Sequence, residues 1–190
     1  MIALAHEMVA GDPRRPGTTL GPLVDEKQLQ TVLRYVDVAR GEGAHLATGG
    51  ERLRPPGCED GWCVAPTIFT GVRPEMRIAQ EEVFGPVLAI IEVDDLDEAL
   101  RVANGVKYGL SSSIYTRDLE SVFRFVDRIE TGITHVNSPT VGGEAQLPFG
   151  GSKATGVGHR EMGRQAIEVY SELKTVYVDY TGVKRTTNVY

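Results

Sequence analysis

Apolar residues in this chain change period repeatedly between helical and strand spacing, and that alternation confines the chain to an α/β architecture. Asp25 followed by Gln28 marks a helix start, because both side chains can satisfy free backbone N–H groups. Leu29, Val32, Leu33 and Val36 then recur at helical spacing, and Gly41 and Gly43 end the run. Strands are predicted over 45–47 and 64–69. Residues 86–93 are apolar on both faces, as in a strand covered by helices on each side. Asp94 or Asp95 caps a helix carrying Leu96, Ala99, Leu100 and Ala103. A strand over 110–115 precedes a helix opened by Asp118, with Leu119, Val122, Phe123, Val126 and Ile129 on one face. A strand over 133–137, a helix over 161–173 and a strand over 175–180 complete the pattern. This order implies crossovers, a mainly parallel sheet and helices on both of its faces.

The 190 residues suffice for one sizeable core. A net charge of −6 argues against a broad basic face for nucleic acid. The longest apolar stretch, 83–93, is interrupted by Gly85, Pro86 and Glu92 and is far too short to span a bilayer. The opening residues have neither the basic start nor the long apolar run of a signal peptide, and two cysteines are too few for a disulfide framework. The expectation is a cytoplasmic protein in a reducing setting, with no nucleic-acid or membrane partner.

Catalytic equipment is sparse. His6, His45, His135 and His159 are scattered, and Cys58 and Cys63 share a Pro- and Gly-rich loop with no second ligand pair. No metal site is expected, and the two cysteines read as structural thiols. Gly156, Gly158 and Gly163 miss the dinucleotide-binding spacing, the third glycine falling two residues late. Residues 138–160 form a Gly-rich stretch without periodicity, and loops of that length inside a domain are usually functional.

Glu81-Glu82-Val83-Phe84-Gly85-Pro86 is more informative. A Gly-Pro turn leads into a buried strand, so Glu82 is placed to accept from a ligand hydroxyl and Phe84 to offer a flat apolar face to a ring. The same residues read equally well as a solvated helix end and a core phenylalanine.

Together these segments carry a family resemblance. Glu81-Glu82-Val83-Phe84-Gly85-Pro86-Val87, Leu147-Pro148-Phe149-Gly150-Gly151-Ser152-Lys153 and Tyr108-Gly109-Leu110 resemble the C-terminal signatures of the NAD(P)-dependent aldehyde dehydrogenases. Gly11-Asp12-Pro13, Gly21-Pro22-Leu23-Val24 and Lys174-Thr175-Val176 occur in that family's order and at its usual intervals. The resemblance implies a partial aldehyde dehydrogenase catalytic domain over 1–173 and an oligomerisation strand and tail over 174–190. The implied reaction oxidises an aldehyde to a carboxylic acid with NAD or NADP as cofactor. A cysteine thiolate attacks the aldehyde, hydride passes to the nicotinamide, and a glutamate activates the water that hydrolyses the thioester.

By position, Glu82 resembles the glutamate that holds the nicotinamide ribose hydroxyls, and Phe84 the aromatic that packs by the nicotinamide. Phe149 resembles the aromatic lining the aldehyde tunnel. The loop after Asn137, with Gly142 and Gly143, resembles the substrate-anchoring loop, and Asn137 either orders that loop or caps the strand before it. Lys153, Arg160 and Glu161 read as structural holders of the loop's return. The backbone N–H groups of Gly142 and Gly143 suit a substrate carboxylate, which Glu144 would repel if it pointed inward. An extra residue, His159, before Arg160 resembles versions commoner among semialdehyde-oxidising branches, so the resemblance implies a carboxylated semialdehyde as the substrate class.

Family chains are more than twice this long. The resemblance places the Rossmann-like cofactor domain, the nucleophilic cysteine and the general-base glutamate before residue 1, so no catalytic residue is assigned in this chain. Alone it is expected to be inert. Three arrangements stay open: the C-terminal part of a dehydrogenase, one chain of a split enzyme with a complementing N-terminal chain, and a non-catalytic interaction module. The strand over 175–180 suits pairing in a homo-oligomer.

Overall fold

The computed structural model describes residues 1–180 and 182–183. A short helix, α1 (Ile2–His6), precedes the long helix α2 (Glu26–Gly41). Asp25 starts α2 as its spacing predicts: Oδ1 accepts the Gln28 N–H at 2.7 Å, satisfying one of the helix's free donors. Leu29, Val32, Val36 and Ala39 form its fully buried stripe. Strand β1 (His45–Thr48) follows, then a hairpin of β2 (Arg52–Leu53) and β3 (Cys63–Val64), then β4 (Thr67–Thr70), helix α3 (Arg77–Gln80) and β5 (Val87–Ala89).

The core lies between α2 and the sheet β1-β4-β5. β1 pairs antiparallel with the central β4, Leu46 opposite Phe69, and β5 pairs parallel, Phe69 opposite Ala89. Phe69 is completely buried and packs with Val36, Ala39, Val72, Met76 and Ile78. On the opposite face α1 lies across Ile68 and Leu88, over an apolar cleft lined also by Met1, Leu4 and Met8. The sheet therefore has a helix on each face.

Glu81 ties α2 to the end of α3. Tyr35 of α2 donates its hydroxyl to Glu81 Oε2 at 2.5 Å, while Arg77 donates to both carboxylate oxygens at 3.0 and 2.9 Å. Arg77 first and Tyr35 second hold the Glu81 carboxyl down to about 2, from an ordinary 4.5.

The second half continues with α4 (Leu96–Asn104), β6 (Tyr108–Gly109), β7 (Ser111–Ile114), α5 (Leu119–Arg128), β8 (Ile133–Val136), β9 (Ser152–Lys153) and α6 (Gln165–Val169). Asp95 caps α4 and Asp118 caps α5, each accepting the N–H three residues on at 2.8 Å. β7 and β8 run parallel around α5, with Ser111 opposite Ile133 and Ile114 opposite Val136. β6 pairs antiparallel with β9. Asp97 of α4 pairs with both Arg124 and Arg128 of α5. Among the described residues no helix is long and apolar enough to cross a membrane, and no group of three or more His, Cys, Asp or Glu side chains is placed to hold a metal ion.

The α/β class stands, but in place of one broad, mainly parallel sheet the strands form several short ladders, β4–β5 and β7–β8 parallel and the other three antiparallel. Other local expectations need correction. The strand expected over 64–69 breaks at Pro66, which has no N–H for a ladder, and the one expected over 86–93 pairs only over Val87–Ala89. The helix expected over 161–173 shrinks to Gln165–Val169, because Met162 and Gly163 sit at φ 62° and 54°, which an α-helix cannot accommodate. Residues 175–180 join no ladder among the described residues. A strand exists only through its hydrogen-bonded neighbour, so alternation alone does not create one. The expected tail over 184–190 lies outside the described residues, as does Thr181. On α5 only Phe125 is buried, and the predicted apolar face leaves Leu119 and Phe123 about two-thirds exposed, at 65% and 67%.

Two outcomes follow from this packing. Phe69→Ala should destabilise the protein by about 3–5 kcal/mol, read as a lower midpoint in chemical denaturation, because β4 cannot collapse into the void. Since the Glu81 carboxyl is depressed in the fold, its stabilisation is complete above pH 4.5 and is lost as pH falls towards about 2. Wild-type thermal midpoints should therefore fall more steeply over that interval than those of Glu81→Gln.

Candidate active site

The turn between α3 and β5 separates two adjacent carboxylates. Glu81 is consumed by Arg77 and Tyr35, whereas the Glu82 carboxylate is exposed and takes no hydrogen bond among the described residues. Beyond it, Phe84 sits at φ 54°, an uncommon conformation for a bulky residue, with its ring 77% exposed. The turn is gripped from α2. The Gln28 side-chain amide donates to the carbonyls of Val83 at 2.9 Å and Phe84 at 3.0 Å. A Cβ on Gly85 would come within 2.6 Å of Val32 Cγ2, so only glycine lets the turn lie so close to the helix. Phe84 is thus not a core residue; its backbone is held while its ring is offered outward.

Glu82 borders a cleft of about 370 Å³ walled by Val106, Tyr108, Ser111, Ser112, Thr131 and Thr155. Thr131 and the next residue, Gly132, lead into β8 and wall two clefts in turn. The second, of about 790 Å³, is the larger and is bounded by His135 of β8, Gly142, Gly143, Phe149 and Arg160. Gly142, Gly143 and Phe149, which the sequence singled out, therefore meet in one cavity. Neither glycine N–H donates to an acceptor among the described residues, so two adjacent donors remain available at its wall. Glu144 also lines it, with Oε2 accepting from Gln146 Nε2 at 3.0 Å.

Asn137 stands apart from this group. Its amide is spent on one residue: Oδ1 accepts the Thr116 N–H and Nδ2 donates to the Thr116 carbonyl, each at 2.9 Å. At φ 54° it turns the chain sharply out of β8 into the loop. The loop's return is pinned as firmly. Lys153 donates to the carbonyls of Asn104 at 2.6 Å and Val106 at 3.2 Å and pairs with Glu130 at 3.0 Å, placing its cation at the C-terminal end of α4. Phe149 and Glu161 exchange backbone hydrogen bonds at 2.7 and 2.8 Å, and Arg160 donates to the Gly151 carbonyl. A side chain on Gly132 would strike the Gly150 carbonyl, so the strand and the returning loop touch through backbone alone.

Sequence reasoning did not foresee Gln28 as the clamp on the Glu82–Phe84 turn, nor His135 as a wall of the larger cleft. Gln28 lies 55 residues from Val83, and no local spacing announces such a contact. The alternation in 133–137 gave a hint for His135, whose Nε2 is buried without a partner among the described residues.

Comparison with known proteins gives this arrangement a lineage. Residues 1–176 match the aldehyde dehydrogenase family. The chain is 50% identical over 168 residues to an alpha-ketoglutarate semialdehyde dehydrogenase of Haloferax volcanii, covering 87% of this chain and 35% of that protein. It is 41% identical over 178 residues to the corresponding Bacillus subtilis enzyme, covering 94% of this chain and 36% of that one. Among solved structures, an NAD-dependent aldehyde dehydrogenase from Sinorhizobium meliloti superposes with a TM-score of 0.89 at 35% identity, over 98% of this chain and 36% of that one. A Mycobacterium tuberculosis aldehyde dehydrogenase complexed with NAD+ does so at 0.87 and 36% identity, over 96% and 37%. The chain thus spans about a third of the length of the relatives it matches. With a family model matched over residues 1–176, relatives at 41–50% identity and the fold shared with solved members, this chain belongs to the aldehyde dehydrogenase family.

Proposed function

We propose that this chain supplies the C-terminal share of an aldehyde dehydrogenase catalytic domain, in an enzyme that oxidises an aldehyde to a carboxylic acid with NAD+ or NADP+. The observation that carries the reading is the division of labour in Glu81-Glu82: one carboxylate is locked into the fold, and its neighbour is left free beside an outward-facing aromatic. A free carboxylate fits the nicotinamide ribose, because it can accept from two hydroxyls at once, and the bare Phe84 ring fits the flat nicotinamide. The chemistry the dinucleotide supplies when bound is acceptance of hydride from the substrate carbon.

In this reading the chain's own residues position the reactants. Glu82 fixes the ribose, and the Gln28 clamp keeps Phe84 where its ring limits the nicotinamide's tilt. Phe149 forms an apolar wall for the aldehyde chain, with Gly142 and Gly143 beside it, while Asn137 orders the loop that carries them. The nucleophile and the water-activating base belong to the part of the family's catalytic domain that this chain does not match, so the chain alone has no turnover. Val176, Tyr177 and Val178, all exposed, would extend a neighbouring subunit's sheet in a cytoplasmic homo-oligomer.

The substrate class is a carboxylated semialdehyde. The two free N–H groups at Gly142 and Gly143, with Arg160 and His135 in the same cleft, suit a remote carboxylate, and the Glu144 carboxylate that shares the cleft is engaged by the Gln146 amide. Relatives named for alpha-ketoglutarate semialdehyde point the same way.

Two measurements on the complete enzyme test this. Glu82→Gln should raise KM for the dinucleotide roughly tenfold or more, as expected for loss of charge-assisted hydrogen bonds, with the thermal midpoint unchanged. An unaltered KM would favour the non-catalytic module. In substrate comparisons, kcat/KM should be higher for a semialdehyde bearing an ω-carboxylate than for betaine aldehyde or an aliphatic aldehyde of equal length. The reverse ranking would remove the carboxylate from the reading.

A further inference from the structure

The β2–β3 hairpin carries two sulfurs that the proposed reaction does not use. Cys58 donates its backbone N–H to the Pro55 carbonyl at 2.9 Å, and Gly61 donates to the Cys58 carbonyl at 3.0 Å. These two successive turns fold the loop back onto the start of β3. As a result both sulfurs lie over Gly61: the point where a Cβ on that glycine would sit is 2.5 Å from Cys58 Sγ and 3.6 Å from Cys63 Sγ. That geometry holds the sulfurs within about 6 Å of each other, so the two thiols are neighbours across Gly61. A residue larger than glycine at position 61 would collide with Cys58.

Their surroundings differ. Cys58 is half-buried and reachable by a small oxidant, whereas Cys63 is 1% exposed. Burial first, and the neighbouring Cys58 second, push the Cys63 thiol up to about 11, so Cys63 is the poorer first nucleophile. Arg52 of β2 stands beside the pair, its Nη2 donating to the Gly61 carbonyl at 3.4 Å and its Nε buried without an acceptor among the described residues.

We propose that Cys58 and Cys63 form a reversible dithiol–disulfide pair oxidised by hydrogen peroxide. The Cys58 thiolate attacks one peroxide oxygen, the O–O bond breaks, and the departing hydroxide takes up a proton to become water. Cys58 is then a sulfenic acid. Cys63, giving up its proton, attacks the Cys58 sulfur, and the sulfenic oxygen leaves with that proton as a second water. Two thiols have lost two electrons to one peroxide, and a small thiol reductant reverses the step. The bond would fasten the loop carrying Trp62, whose carbonyl accepts the Leu23 N–H at 3.0 Å and whose ring packs against Leu29, Val32 and Val64. The oxidised hairpin is thereby clipped to the same core that α2 forms with the Glu82 turn.

The test is peroxide treatment of the full native chain, followed by iodoacetamide, intact mass and non-reducing peptide mapping. The expected result is a loss of about 2 Da, a peptide cross-linked between Cys58 and Cys63 that neither alkylates, and full reversal by dithiothreitol. In Cys63→Ala, Cys58 should instead accumulate as a sulfenic acid that dimedone traps. In Cys58→Ser, Cys63 should stay reduced and alkylate only after denaturation. Oxidation of wild-type Cys58 to the sulfinic acid with Cys63 still free would overturn the proposal. So would a Cys58 bond between two chains, or both thiols alkylating unchanged after peroxide.

Discussion

Helix α2 holds the turn that carries Glu82, and the rest of the arrangement depends on that grip. Three contacts make it: Val32 against the bare Gly85, the Gln28 amide on two consecutive carbonyls, and Tyr35 on Glu81. Each comes from a different turn of the same helix. Asp25 fixes where the helix begins, so one N-terminal cap sets the register of all three. Left-handed backbone at Phe84 costs about 1–3 kcal/mol, and it persists because the two hydrogen bonds from Gln28 and the fit to Val32 over-determine the conformation.

The same grip explains why the neighbouring carboxylates behave differently. Glu81 points back to α2 and α3 and serves as a structural anion, its charge stabilised by a bidentate guanidinium and a phenol. Glu82 emerges on the other side of an extended backbone, where Glu81 itself has ψ 148° and successive side chains alternate. A single residue of register thus separates a group spent on folding from one available to a ligand.

Much of the architecture was legible because its signals are local. Asp25, Asp95 and Asp118 each cap a helix within three residues, and the stripe Leu29, Val32, Val36 is buried as its period requires. What failed to read was set by partners far along the chain or by backbone conformation. The apolar spacing of 161–173 promised a longer helix, but positive φ at Met162 and Gly163 blocks its start. Residues 175–180 alternate as a strand should, yet alternation says nothing of where a neighbour lies. In the candidate site, the types Glu82, Phe84 and Phe149 and the order of their motifs were readable. The pairing of Glu81 with Tyr35, 46 positions away, was not, and neither was Thr116 as the partner through which Asn137 holds the start of the loop.

The long loop after β8 is stapled at both ends and tied again by the backbone pair between Phe149 and Glu161. Asn137 fastens its departure to Thr116, and Ser152 and Lys153 fasten its return to the segment joining α5 and β8 and to the end of α4. Between those staples Gly142 and Gly143 face the larger cleft with neither backbone N–H engaged among the described residues. On the function proposed above, this loop meets the aldehyde and the Glu82 turn meets the dinucleotide, so the two contacts rest on separate supports within one chain.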